Sequence, residues 1–374
     1  MKRALCLVLD SAGCGHAPDA AAHNDAGANT LGHLFERIPD LHLPNLASLG
    51  LYELLGIKSI LPLHGGASWA RLTQVSAGKD TTSGHWELMG CEIGEAFATF
   101  TEFPHHFVAE LELRAGVNFI GNHASSGTEI LNQLGEEHLR SATPILYTSA
   151  DSVLQIAAHE EVFGLERLLE LCLTARKLLD ERGIRIGRVI ARPFLGSTAA
   201  DFKRTGNRHD YSLVPGETVL NRLQAAGVRT LGVGKIADIF ADSGISHSFP
   251  TPSNAAGMAM IDELWRREIP QPHLIFANLV DFDSLYGHRR DPQGYAQCLM
   301  EFDAWLGSFL GKISATDLVI LTADHGNDPY HRGTDHTREQ VPALVLGKSI
   351  EAGNYSAVAE WLEEYFELSK SAKS

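Results

Sequence analysis

Three largely apolar runs, far apart in the chain, each give way to aspartate: residues 4–9 stop at Asp10, 273–280 at Asp281 and Asp283, and 318–321 shortly before Asp324. A short run with no polar alternation suits a strand covered on both faces, the situation of central strands in parallel α/β sheets. Parallel strands bring their carboxyl ends to a common edge, where ligands collect in open α/β folds. Carboxylates from three remote places in the sequence are thereby expected to converge. For Asp10 taken alone, capping of the glycine-bearing turn after it is an equal alternative.

The residues after the second and third runs sharpen this expectation. Asp283 is followed by His288, and Asp324 by His325, Asp328, His331, Asp335 and His336. Carboxylate oxygen together with imidazole nitrogen suits Mn, Zn or Mg better than a thiolate site would. A single histidine in such a loop is ordinarily just solvated. Six such residues at three strand ends divide into two sets of three, and two neighbouring divalent ions clamp both the attacking and the leaving oxygen of an in-line phosphoryl transfer.

A fourth stretch, 76–90, places Thr81, Thr82 and Ser83 after a Gly-Lys-Asp turn at the start of a short helical segment. A hydroxyl there caps the helix or, beside a metal, serves as a nucleophile. The helix start also offers backbone N–H groups to a bound phosphate. Elsewhere, residues 67–75 alternate as a strand, and helices are expected over 217–226, 253–267, 291–313 and 356–368, with a strand at 229–233 before Gly234 and Lys235.

From about residue 97 to 213 the strand-then-aspartate pattern disappears, and helices (104–115, 128–139, 165–182) alternate with strands (117–120, 145–148, 153–157, 188–194). The expected organisation is a discontinuous α/β core, 1–96 with 214–374, interrupted by a smaller α+β domain at 97–213. Arg188 and Arg192 lie four apart on one strand, so they share a face, and Arg204 and Arg208 follow. Guanidinium forks suit phosphate.

Composition narrows the partners. Lys and Arg number 31 against 46 Asp and Glu, a formal net charge of −15. With no basic run to offset it, nucleic acid and anionic membrane are excluded as expected partners. The apolar run at 4–9 is too short for a signal peptide or a membrane span, and the five cysteines form no CxxC pair. The expected compartment is the cytoplasm; no oligomeric state can be read from these features.

The strings VLDSAGCGHAPDA, GKDTTSGHWELMG, YTSADSVLQIAAHEE, NRHDYSL, NLVDFDSLYGHRRDPQGYA and TADHGNDPYHRGTDHTRE span nearly the whole chain. In them the sequence resembles the phosphopentomutases of the cofactor-independent type, within the alkaline phosphatase superfamily. The resemblance implies an alkaline-phosphatase-like α/β fold, a mostly parallel sheet flanked by helices, with an inserted α+β cap. It further implies one metal on Asp10, Asp324 and His325, a second on Asp283, His288 and His336, and a phosphothreonine at Thr81. Two Mn ions and a sugar bisphosphate activator such as glucose 1,6-bisphosphate are expected with it. Asp151, Arg188, Arg204 and Lys235 would meet a pentose phosphate substrate, ribose 1-phosphate and ribose 5-phosphate or their 2-deoxy forms, with the cap excluding water. A phosphatase or phosphoglycerate mutase of the same superfamily, or a metal-dependent phosphate-binding module without turnover, are the alternatives.

Overall fold

A computed structural model describes residues 2–149 and 152–368. It divides into two units, Met1–Glu95 with Pro215–Ser374, and Ala96–Val214. The first opens with β1 (Arg3–Leu9), α1 (Thr30–Arg37), α2 (Pro44–Ser48), α3 (Leu51–Leu55), β2 (Ala67–Thr73) and α4 (Thr81–Leu88). The second comprises α5 (His105–Ala115), β3 (Ile120–Ala124), α6 (Gly127–Ser141), β4 (Ile145–Thr148), β5 (Val153–His159), α7 (Leu165–Glu181), β6 (Arg188–Leu195), β7 (Lys203–Arg204) and β8 (His209–Ser212). The chain then completes the first with α8 (Val219–Ala225), β9 (Arg229–Val233), α9 (Ile236–Phe240), β10 (His247–Phe249), α10 (Asn254–Arg266) and β11 (His273–Leu279). It ends with α11 (Pro292–Leu310), β12 (Leu318–Thr322), β13 (Val341–Leu346), β14 (Gly353–Asn354) and α12 (Ala357–Phe366).

The first unit carries an eight-stranded sheet in the order β10-β9-β11-β1-β12-β13-β2-β14. Its centre is the parallel set anticipated above: β1 lies between β11 and β12, with Leu5 opposite both Ile275 and Val319. All three strands are buried along their length apart from Arg3, which explains the absence of alternation in their sequences. β13 is antiparallel to both of its neighbours, because the chain leaving β12 forms a long polar loop and returns beside it. Helix α11 buries Tyr295, Leu299, Phe302, Leu306 and Phe309 at helical spacing, and Asp291 caps it by accepting from the Gly294 N–H. From the same buried face Asp303 accepts the N–H groups of Asn45 and Leu46, orphan donors at the start of α2.

The second unit is a mixed sheet in the order β3-β4-β5-β6-β7, with β8 also pairing β6. One apolar cluster, including Phe103, Phe107, Leu154, Ile156, Leu168 and Leu178, lies among α5, α7 and the sheet. A smaller one, with Ile130, Leu131, Tyr147 and Phe194, involves α6. The strand expected at 117–120 is displaced to Ile120–Ala124. Val117 and Phe119 pack against the first apolar cluster, whereas the pairing falls on a polar segment whose Gly121 and Asn122 adopt φ of 94° and 67° across a register shift.

At the opposite end of the central strands from the aspartates, Arg3 grips Asp317 with both arms of its fork, Nε to Oδ1 at 3.1 Å and Nη2 to Oδ2 at 2.6 Å. The guanidinium also lies 3.9 Å from the Trp265 ring centroid. Burial raises the Asp317 carboxyl, but the hydrogen bonds from Arg3 and Ser314 outweigh it and hold the group below its ordinary value. A depressed folded-state pKa gives stability that is present above the unfolded value of about 3.9 and lost as pH falls through the folded one. Asp317→Asn is therefore expected to cost about 2 kcal/mol at pH 7, with the gap from wild type closing as pH drops below about 4. Urea unfolding at a series of pH values measures it; a gap independent of pH would exclude the carboxylate as its source.

Candidate metal centre

The candidate aspartates are delivered by the ends of buried strands. Asp10 follows β1 directly, and its N–H still donates to the Leu279 carbonyl at 3.2 Å, extending the ladder by one step. Ser11 then turns with φ of 73°, an unusual conformation for a residue other than glycine, which aims its N–H at Asp324 Oδ1, 3.1 Å away. Asp283 sits in a π-helical turn, Phe282–Gly287, just beyond β11. Such turns recur at functional sites. Asp324 and His325 follow β12, and His336 returns on the loop toward β13.

These residues meet. Ligand atoms of Asp10, Asp324 and His325 lie within 4.8 Å of one another, as do those of Asp283, His325 and His336. His325 Nε2 is 3.5 Å from Asp10 Oδ1 and 3.3 Å from Asp324 Oδ2, while His336 Nε2 is 3.5 Å from Asp283 Oδ2. His288 Nε2 stands 3.0 Å from Asp283 Oδ2, its ring steadied by Nδ1 against the Thr334 carbonyl at 2.7 Å. The centre is thus two adjoining groups with His325 within reach of both.

The donor set fits divalent metal on three counts. Asp10 Oδ1, Asp324 Oδ2 and His336 Nε2 are buried without a hydrogen-bond partner, a costly arrangement unless an ion is to take them. Three carboxylates gather where water is scarce: burial, then repulsion by Asp324 and Asp283, pushes the Asp10 carboxyl well above its usual range. Burial likewise raises Asp283, but the neighbouring imidazoles of His288 and His336 prevail and hold it well below that range. This surplus of buried negative charge calls for cations. The outer contacts also resemble those of a metal site: Asn327 Nδ2 donates to Asp283 Oδ1 at 2.7 Å, and Arg290 ties Asn327 to the carbonyls of Gly287 and Asp335. Adding a divalent cation at about 100 times its Kd is expected to stabilise the protein by about 2.7 kcal/mol, raising Tm on the order of 5 °C. EDTA should reverse it; a Tm indifferent to both would argue against the centre.

Thr81 opens α4 beside this cluster, with Oγ1 3.1 Å from His325 Nε2. Thr81 is not the helix cap. Asp80 is, its Oδ1 accepting from the N–H groups of Thr82 at 3.0 Å and Ser83 at 3.1 Å, so the threonine hydroxyl is left for chemistry. The same cap occupies amides expected to be open to phosphate. Gly84 is required by proximity: a Cβ there would come within 2.1 Å of the Asp324 carbonyl oxygen.

The expected substrate-binding residues divide between the two units. Lys235 is exposed at the carboxyl end of β9, which runs parallel to β11. In the second unit Arg188 pairs with Ser212 on β8, and Arg204, on β7, pairs with Phe194, six residues further along β6, or about 20 Å at ~3.3 Å per residue. The structure does not bring these two arginines together. Arg188 Nη1 is 3.6 Å from Asp210 Oδ2, and Arg204 lies beside Gly127 at the start of α6. Asp151 lies outside the described residues. Sequence reasoning passed over His85, Asn278 and Asn327. The signals were a histidine four residues after Thr81 on one helix and a lone amide near the end of the apolar run of β11.

Residues 2–367 match the family model of the metalloenzyme superfamily. Among curated proteins, a phosphopentomutase of Symbiobacterium thermophilum is 51% identical over 94% of this chain and 90% of its own. One of Syntrophotalea carbinolica is 49% identical over 96% and 91%. Among solved structures the PH0037 protein of Pyrococcus horikoshii, at 13% identity, aligns with a TM-score of 0.52 over 99% of both chains, a likeness of fold.

Proposed function

The chain belongs to the metalloenzyme superfamily and within it to the phosphopentomutases, and on that premise we propose that it interconverts ribose 1-phosphate and ribose 5-phosphate, and the 2-deoxy pair, through phospho-Thr81. The observation that carries the role of Thr81 is its hydroxyl, 3.1 Å from the imidazole that both ligand groups include. Asp10, Asp324 and His325 would hold one cation, and Asp283, His336 and His288 the other, with Mn as the proposed metal. When bound, the ions offset the charge of the phosphoryl group in transfer.

In the proposed cycle a free hydroxyl of the pentose phosphate attacks the phosphorus of phospho-Thr81. Its oxygen forms the new P–O bond as the bond to Thr81 Oγ1 breaks, and the proton that the sugar hydroxyl loses is matched by the one that Thr81 Oγ1 takes up. The resulting sugar bisphosphate then returns its other phosphoryl group to Thr81. A sugar bisphosphate such as glucose 1,6-bisphosphate would prime unphosphorylated protein. Phosphorus NMR of ribose 5-phosphate with Mn and a trace of that primer tests the reading. Growth of a ribose 1-phosphate signal to a constant ratio is expected; inorganic phosphate alone would mean a phosphatase.

Lys235 and Arg188 are proposed to hold the non-reacting phosphate. The β6 register puts Arg188 next to Val153, close in sequence to Asp151, which is proposed to meet the sugar. Arg188→Ala is expected to raise KM for the pentose phosphate on the order of tenfold or more, as loss of a charged hydrogen bond does. Arg204, expected to share that role, provides the contrast: an equal rise in Arg204→Ala would show that both reach the substrate.

A further inference from the structure

We propose that His85 is a positioning residue that fixes the helix of the nucleophile to the first cation group, so that Thr81 and the carboxylates of Asp10 and Asp324 are set as one unit. The inference rests on the assignment of Thr81 and the two ligand groups above. His85 lies one helical turn after Thr81 on α4 and is fully buried, with its ring 6.0 Å from that of Phe276 on β11. Three groups surround its two nitrogens. Nδ1 is 2.9 Å from the Thr81 carbonyl oxygen and 3.0 Å from Asp324 Oδ2, and Nε2 is 3.0 Å from Asn278 Nδ2.

The protonation of the ring is set by its neighbours. Asn278 Nδ2 also lies 3.0 Å from Asp10 Oδ2, and only the NH2 side of an amide can face a carboxylate. One of its hydrogens goes to Asp10 and the other to His85, so Nε2 accepts and Nδ1 carries the proton. Nδ1–H donates to the Thr81 carbonyl; Asp324 Oδ2 is close but off that axis, which leaves the oxygen free for a metal. The result is a continuous buried line from the carbonyl of the nucleophile, through a neutral imidazole and an amide, to Asp10. Contacts of this kind orient ligands and typically govern metal affinity by ten- to a hundredfold. They also set the nucleophile, where a displacement of about 1 Å costs on the order of a hundredfold in rate.

Metal-free wild type and variants are titrated with Mn2+, following free Mn2+ by EPR, with the Tm of each metal-free protein recorded beside it. Wild type should take up two ions. His85→Leu should weaken one of them roughly ten- to a hundredfold while the other stays near wild type. His85→Asn keeps a donor where Nδ1 stood and His85→Gln an acceptor where Nε2 stood, so each should recover part of the loss. Asn278→Ala, which leaves the helix intact, should weaken the same ion and decides the matter if the leucine variant does not fold. Wild-type affinity for both ions in His85→Leu and Asn278→Ala, or a loss that the amide variants do not relieve, would overturn the proposal. No substrate enters the titration, so a wild type that binds two ions but isomerises no pentose phosphate would sink the proposed reaction and leave this inference standing.

Discussion

Thr81→Ala is expected to abolish isomerisation, on the order of 10⁴-fold or more, while leaving the fold and cation binding in place. The oxygen removed is the one that would carry the phosphoryl group, and it adds little to packing. The helix keeps its cap, because that is supplied by Asp80, and the side-chain hydrogen bond of the Thr81 hydroxyl is the one with His325. Three measurements on one preparation separate the possibilities: phosphorus NMR for turnover, a Mn2+ titration for the centre, and Tm for the fold. Residual turnover within tenfold of wild type would remove Thr81 from the covalent role. A fall in both cation affinity and Tm would instead make it part of the structure.

Arg338→Leu should have the largest effect on stability, about 3–5 kcal/mol, by breaking a buried, fully hydrogen-bonded charge. Its side chain is 2% exposed, and Nη1 donates to Gln74 Oε1 and the carbonyls of Ser76 and Gly78 at 2.7–2.8 Å. Nη2 reaches the Gln74 carbonyl at 3.0 Å and Asp19 at 2.9 Å. Those carbonyls belong to the loop between β2 and α4, so the guanidinium holds the segment leading to Thr81. Leucine fills the space but leaves the carbonyls without donors, each a loss of about 1–3 kcal/mol if no water enters. Asp19 is half exposed and contributes little through its charge. Arg338→Lys should recover only part, since one ammonium cannot span acceptors spread around a planar fork. Urea unfolding of the metal-free protein measures the change. A loss under about 1 kcal/mol would mean that water replaces the guanidinium.

The parallel centre of the sheet was legible because its physical cause lies in the sequence. A strand buried on both faces tolerates few polar residues, and β1, β11 and β12 carry only Arg3, His273, Asn278 and Thr322. The carboxylates at their ends stood out because charge is rare next to such runs. Short pairings such as β7, β10 and β14 have no comparable signal, and β3 lies on polar residues that pair only because β4 is alongside. Of the two roles open to a hydroxyl at the start of α4, capping does not fall to Thr81, since a carboxylate one residue earlier competes better for the same amides.

Strand polarity and burial are consequences of local composition, so the common edge of Asp10, Asp283 and Asp324 was already written in the order of the residues. How the ligands divide was left to packing. His325 falls between the two groups because β1 runs between β11 and β12 and the loop from β12 folds back across their ends. Packing also made His85, ordinary as the fifth residue of a helix, stand between Thr81, Asp324 and Asn278. Hydrogen bonds reach only about 3 Å, so which distant residues come within that reach is settled by the tertiary structure and not by any local pattern.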